Sequence, residues 1–235
     1  MLLWYTKPMN TPYKIIRKPR RRRLSITISA HKDVQVLAPK AVSESEIHSF
    51  VEANSAWIDR TLKRVEKRYV PPKTFKEGEL FMFLGENYPL TVQQGPKNHV
   101  EFNGQSLSVS YKKTAHVRDQ VQSLLLKWYK ERAKDIIPDR VVIHAEEMDL
   151  DYNDIRIKTL KTRWGSCSSL RNLNFNWVLM MAPIQVLDYV VIHELAHLVH
   201  MNHSKAFWAV VETYCPDYKT HIKWLKDNVG LLSII

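Results

Sequence analysis

The stretch "IQVLDYVVIHELAHLVH", Ile184 to His200, constrains this chain more than any other. Apolar residues recur at helical spacing along its whole length, so it reads as a helix, and Pro183 just before it suits a first helical turn. Set into that apolar helix are His193, Glu194 and His197. Histidines four apart lie one above the other on a helix face, about 6 Å apart along the axis. Imidazoles held among "YVVI" and "LAHLV" need hydrogen-bond partners or a metal to offset their desolvation. Two such imidazoles can grip one ion. The glutamate between them projects elsewhere and can act as a general base on water.

The third ligand is a matter of reach. On a straight helix His200 would lie about 10.5 Å from His193 along the axis, too far for three ligands at about 2.0–2.1 Å from one ion. His203 follows "MNHS", where Asn202 tolerates the left-handed conformation that ends helices and Ser204 can cap the next one. The expected ligands are therefore His193, His197 and His203, with Glu212 on the following helix as the rival for the third place. His200 is left beside the site or at the surface. The histidine spacing equals that of the metzincins, H-E-x-x-H-x-x-G-x-x-H, but His200 stands where those have their bending glycine, so the turn must be made another way.

Ahead of this helix the pattern is different. "LSITIS" and "VQVLAP" alternate apolar and polar residues as strands do, with "HKD" as the turn between them. Ser43 with Glu46 forms a capping box. Helical spacing follows through Ile47, Phe50 and Val51 and, after a break near Asn54, through Trp57, Ile58, Leu62 and Val65. Pro71 and Pro72 end that unit. "ELFMFLGENYPLTVQQ" reads as two strands around Gly85–Asn87, and Val100–Phe102 with Leu107–Tyr111 as a hairpin about Asn103-Gly104. From about Ala115 to Glu147 the spacing is helical, with Pro138 predicted to kink or restart the helix. "DIRIKTLKTRWGSCSS" reads as a strand running into a Gly/Ser loop, and "LNFNWVLMMAP", Leu173 to Pro183, as a further strand. The pattern predicts an α+β chain. An antiparallel, β-rich part with a helical insert spans residues 1–111, and a helical domain with a small sheet and the active-site helix spans 112–235.

Composition bounds the partners. At 235 residues and 45% apolar, the chain can bury a real core. No run of about 18 apolar residues suits a membrane helix, and "MLLWYTKPMN" lacks the layout of a signal peptide. Two cysteines, Cys167 and Cys215, imply no disulfide framework, so a cytoplasmic setting is expected. Charge is uneven: about +10 over residues 1–120 and about +1 beyond, within a total of +11. Residues 1–23 hold eight basic groups and no acid, most of them in "RKPRRRR", Arg17 to Arg23. That run suits phosphate or nucleic acid. It equally suits an edge strand that charge protects from aggregation. It lacks the interleaved aromatics that a single-strand binder uses.

Several stretches together point to one family: "RRRRLSITI", "VQVLAP", "AWI", "FLGENYPL", "KTRWGSCSS", "NFNWVLMMAP", "LDYVVIHELAHL" and "NHSKAFW". Over nearly its whole length the chain resembles the YgjP-like metal-dependent hydrolases, zinc metallopeptidases related to the SprT-like and WLM proteases. The resemblance implies a zincin-type catalytic half and a β-rich N-terminal half. It implies metal ligands at His193, His197 and His203, Glu194 as base, and one Zn²⁺ or another divalent transition metal. Its substrate is a peptide or protein, with a nucleoside triphosphate as the alternative. A nucleic-acid-associated module led by the basic half is a second alternative. In zincins a strand beside the metal helix pairs with extended substrate through a free edge, and "LNFNWVLMMAP" is the candidate. Arg163 and Trp164 can face the cleft, Arg163 toward a carboxylate or phosphate, or their segment simply shapes a turn. Cys167 has no evident base and is not expected to be a nucleophile, and Cys215 reads as core filling. Tyr214 and His221 are candidate oxyanion donors that spacing does not place.

Overall fold

The computed structural model describes residues 4–5, 12–29, 32–67 and 73–233. His31 of the expected "HKD" turn and the Pro71–Pro72 stop lie outside them; the rest of that turn is described, with Lys32 N–H bonded to Ser29 O (3.1 Å) and Ser29 N–H to Asp33 O (3.0 Å). The chain divides into two compact units, Met1–Pro71 and Pro72–Ile235, and is a mixed α+β protein.

The first unit builds one sheet from β1 (Trp4–Tyr5), β2 (Tyr13–Lys18), β3 (Ser25–Ile28) and β4 (Val34–Pro39), in the order β1-β2-β4-β3. Two helices follow, α1 (Glu44–Ala53) and α2 (Ser55–Lys67). The Ser43–Glu46 capping box forms as expected, and α1 ends at Asn54. Val34, Val36 and Ala38 of β4 pack with Ile47, Val51 and Ile58 of the helices. β4 is the most buried strand and takes a neighbour on each side, β3 antiparallel and β2 parallel. The sheet is therefore mixed, not antiparallel throughout as the alternation predicted. Alternation marks which face is buried and says nothing of neighbour order.

The second unit repeats the arrangement. Its first sheet is β5 (Leu80–Phe83), β6 (Glu86–Gln94), β7 (His99–Phe102) and β8 (Leu107–Tyr111), ordered β5-β6-β8-β7 with β6 and β8 parallel. Gly104 has φ +85° in the expected hairpin turn. The predicted boundary at residue 111 is corrected: Phe81, Phe83, Leu90, Leu107 and Val109 share one core with Val121, Leu125 and Trp128 of α3 (Val117–Glu147). That sheet belongs with the C-terminal helices.

α3 runs unbroken for 31 residues and does not restart at Pro138. A proline inside a helix costs about 3 kcal/mol. Ile137 and Val141, both fully buried beside it, each contribute about 1.5–3 kcal/mol and hold the helix together.

A second sheet, β9 (Asp154–Lys158), β10 (Gly165–Cys167) and β11 (Asn172–Asn176), has the order β10-β11-β9. The strand expected to reach Pro183 stops at Asn176. The side chain of this fully buried residue donates to the carbonyls of Leu160 (2.7 Å) and Arg163 (3.2 Å) and accepts from the Val178 N–H (3.4 Å). Trp177–Met181 then form a buried 3-10 turn. Leu84 N–H bonds Met180 O (2.8 Å) and Gly85 N–H bonds Met181 O (3.3 Å), fastening the β5–β6 turn to the segment that launches α4 (Ile184–Ala196). Gly85 has φ +91°, and a Cβ there would lie 2.9 Å from Pro183, so only glycine fits. From the other side Arg140 of α3 grips Asp188 of α4 with two bonds of 2.6 and 2.8 Å, and His144 Nε2 lies 3.4 Å from the same carboxylate. Helices α5 (Lys205–Tyr214) and α6 (Tyr218–Asp227) pack on α4. No helix among the described residues is long and apolar enough to cross a membrane.

Candidate metal centre

α4 ends sooner than the sequence suggested. His197 is its C-cap, and the chain tightens into three-residue turns, Leu198 N–H to Leu195 O (2.8 Å) and Val199 N–H to Ala196 O (3.1 Å). The bend therefore starts at His197 and not after His200, and Asn202 is not left-handed. Asn202 Oδ1 instead accepts from the Ser204 N–H (3.2 Å). Ser204 caps α5 as expected, accepting from the Phe207 N–H (3.3 Å).

This path folds His203 back onto α4. Its Nε2 lies 3.1 Å from Nε2 of His193, and one nitrogen from each of His193, His197 and His203 falls within 4.8 Å of the others. Phe207, fully buried, packs against all three rings at 5.0, 4.6 and 4.8 Å between centroids. Trp208 flanks His193 and His203 and stacks on Tyr218. The outward nitrogens have partners: His193 Nδ1 lies 3.3 Å from Tyr189 Oη, and His197 Nδ1 donates to His200 O (3.1 Å). Both contacts leave Nε2 free to face inward. Burial first, then the neighbouring His197 and His203, push His193 down to about 3, so its imidazole stays neutral.

Glu194 is buried against β10. Asn176 N–H to Trp164 O (2.8 Å) and Ser168 N–H to Asn172 O (3.0 Å) tie both ends of β10 to β11. By the two-residue alternation of a ladder, Gly165 and Cys167 then present their backbone groups to the outer edge. There the Cys167 N–H bonds the Glu194 carboxylate. Glu194 Oε2 is buried and has no partner among the described residues. Burial pushes Glu194 up to about 8, while Arg163 and the Cys167 N–H act in the opposite direction. A carboxyl poised near neutrality can both take and release a proton.

The YgjP-like metallopeptidase domain matches residues 22–228 of this chain. The chain belongs to the YgjP-like family. No curated protein matches it significantly. Two solved structures resemble part of it. One is the metallopeptidase zymogen of Pyrococcus abyssi abylysin, at 23% identity and TM-score 0.36, covering 38% of this chain and 91% of that one. The other is the metallopeptidase zymogen of Methanocaldococcus jannaschii jannalysin, at 23% identity and TM-score 0.34, covering 37% and 94%.

The family implies a divalent metal, and the residues of this YgjP-like chain fit one. Three imidazoles converge, two with their other nitrogen already engaged, beside a carboxylate oxygen left without a partner. The rival Glu212 is exposed and outside the cluster, and His200 reaches it only through its backbone carbonyl.

Other expectations are corrected. β11 is the central strand of its sheet and has no free edge; the edge beside α4 belongs to β10. Burial, then Glu194, push the Cys167 thiol up to about 11, the reverse of nucleophile activation. Cys215 is buried, as core filling requires, while Tyr214 is exposed and His221 meets the ring of Tyr189. Arg163 is exposed and acts on Glu194 electrostatically. Two residues were missed. Tyr189 lies four before His193, so the helix-face rule that paired the histidines could have found it. Gly165 was read only as part of a turn, and nothing local in the sequence announces its contact with Glu194.

Proposed function

We propose that this YgjP-like chain is a zinc-dependent metallopeptidase in which His193, His197 and His203 hold one Zn²⁺ and Glu194 is the general base. One observation carries this reading: three imidazole nitrogens converge beside a buried carboxylate whose Oε2 has no partner among the described residues. A structural zinc site needs no base and closes with four protein ligands, whereas three gather here. Bound there, zinc supplies Lewis acidity toward a carbonyl oxygen and toward water. Glu194 Oε2 takes a proton from the attacking water and passes it to the departing amine nitrogen. The Cys167 N–H and the bare Cα of Gly165 fix where that carboxylate sits. The outer edge of β10 takes the role first given to "LNFNWVLMMAP", pairing with an extended peptide.

Metal analysis of the purified protein is expected to find about one Zn²⁺ per chain. His203→Ala is expected to lose that metal and His200→Ala to keep it, because any residue at 200 supplies the carbonyl that His197 uses. Metal lost from the His200 variant and retained by the other would overturn this ligand set. The reaction itself is tested by offering metal-loaded and chelated protein an unfolded protein, short peptides and nucleoside triphosphates side by side. Peptide fragments that appear only with metal are the expected product. Triphosphate cleavage with no peptide product would replace the peptidase with a pyrophosphatase.

A further inference from the structure

We propose that the first unit carries a binding surface for double-stranded nucleic acid, contacted through its phosphate backbone and without regard to sequence. Met1–Pro71 holds 15 Lys and Arg against 6 Asp and Glu, a net +9 of the chain's +11; the remaining residues are nearly balanced, at 20 against 18. The excess is concentrated further, since no acid occurs between residues 12 and 32.

The structure separates the cations that build this region from those that face solvent. Arg17 Nη1 donates to the carbonyls of Pro39 (3.2 Å), Lys40 (3.2 Å) and Val42 (2.6 Å) at the entry to α1. Arg21 folds back on its own loop: its N–H donates to Lys18 O (3.3 Å), its Nε to Arg23 O (2.8 Å) and its Nη2 to Ser25 Oγ. These two arginines give the β2–β3 loop a defined shape. Lys18, Arg20, Arg22 and Arg23 are left exposed on it, and none is in an ion pair among the described residues. Two more cations join them. Lys14 alternates with the buried Tyr13 and so lies with Lys18 on the sheet face away from α1 and α2, and the exposed Lys40 follows Pro39, the register partner of Lys18.

Protection of an edge strand accounts for only part of the run. β1 pairs with Tyr13 and Lys14 alone, so Ile15–Lys18 form an edge among the described residues that Lys18 can guard, but Arg20, Arg22 and Arg23 lie beyond the strand on its loop, and the other edge, β3, "SITI", carries no charge. Six cations gathered without interspersed acids, and with no ion pair among the described residues, repel one another, and a polyanion relieves that repulsion. Duplex nucleic acid, with one negative charge per about 1.7 Å of axis, is such a polyanion. Tyr13, the one Phe, Tyr or Trp between residues 12 and 40, is buried. The β2–β3 loop therefore offers no ring on which unpaired bases could stack, which favours a duplex over a single strand there. The loop's leucine, Leu24, packs against the core of this unit, so the loop presents no apolar wedge of the kind that peripheral membrane binding uses together with charge.

The test needs neither metal nor turnover, so it stands apart from the peptidase reading. The full chain is titrated against a short labelled DNA duplex by fluorescence anisotropy at several salt concentrations. Binding is expected at low salt and should fall steeply as salt rises. Arg20→Gln, Arg22→Gln and Arg23→Gln combined should weaken it roughly 10- to 100-fold and flatten the log–log salt slope by about 2.7, at about 0.9 per phosphate contact. Lys127→Gln, Lys134→Gln and Lys223→Gln combined remove the same charge from exposed positions in the second unit and should leave binding unchanged. Thermal melts establish that both triple variants are folded. No duplex binding by the wild type, equal losses in the two triples, tighter binding to the matching single strand, or tighter binding to anionic phospholipid vesicles would each overturn the proposal.

Discussion

Glu194→Gln is expected to bind metal as the wild type does and to hydrolyse peptides about 10²- to 10⁴-fold more slowly, the range for losing a general acid–base group. The substitution keeps the shape of a side chain that is 5% exposed and packed against β10. The glutamine carbonyl oxygen can still accept the Cys167 N–H, and its amide nitrogen takes the place of Oε2. Only the capacity to accept a proton is lost. No desolvated carboxyl remains, so the fold should be no less stable. The measurement pairs metal content with kcat on one peptide. A variant that retains metal and turns over within tenfold of the wild type would remove Glu194 from the role of base. Loss of metal together with rate would instead show that Glu194 supports the histidines.

What the sequence showed about this site follows from the range over which each feature acts. His193 and His197 were legible because a helix converts a spacing of four into a shared face. The convergence of His203 on that pair was legible because a third imidazole has to come from beyond a turn, even though the turn begins at His197 and not at Asn202. The capping box at Ser43 and the hairpin at Asn103-Gly104 were legible for the same reason: each closes within a few residues. The end of β11 was not. Asn176 terminates it by holding carbonyls 13 and 16 residues away, and no local pattern carries that information. Strand order was hidden likewise, since β2 and β4, and β6 and β8, become parallel neighbours by burial of the middle strand. The division of the chain was missed because Phe83 and Leu107 alternate like any sheet residues; only their packing against α3 shows which unit they join.

Gly165→Ala is expected to lower kcat roughly 100-fold with little change in metal content, because displacing a reacting group by about 1 Å costs that much. Gly165 is not in a left-handed conformation, so a Cβ adds no backbone strain and would slightly favour the strand. The obstacle is the Glu194 side chain itself. A Cβ at this position would lie 2.6 Å from Glu194 Oε1, 2.8 Å from Cγ and 2.9 Å from Cδ, all inside van der Waals contact. Either the carboxylate rotates away from the Cys167 N–H, or β10 lifts from α4. In the first case the three histidines are untouched, KM holds and kcat falls, the signature of an interaction made in the transition state. In the second, the edge proposed to receive peptide moves as well, and KM rises with the fall in kcat. Both outcomes place the glycine of "RWGSC" in the catalytic apparatus as the residue that lets a strand approach the base. An alanine variant with wild-type kcat and KM would mean that the carboxylate has room to spare, and that Gly165 serves only the turn the sequence first suggested.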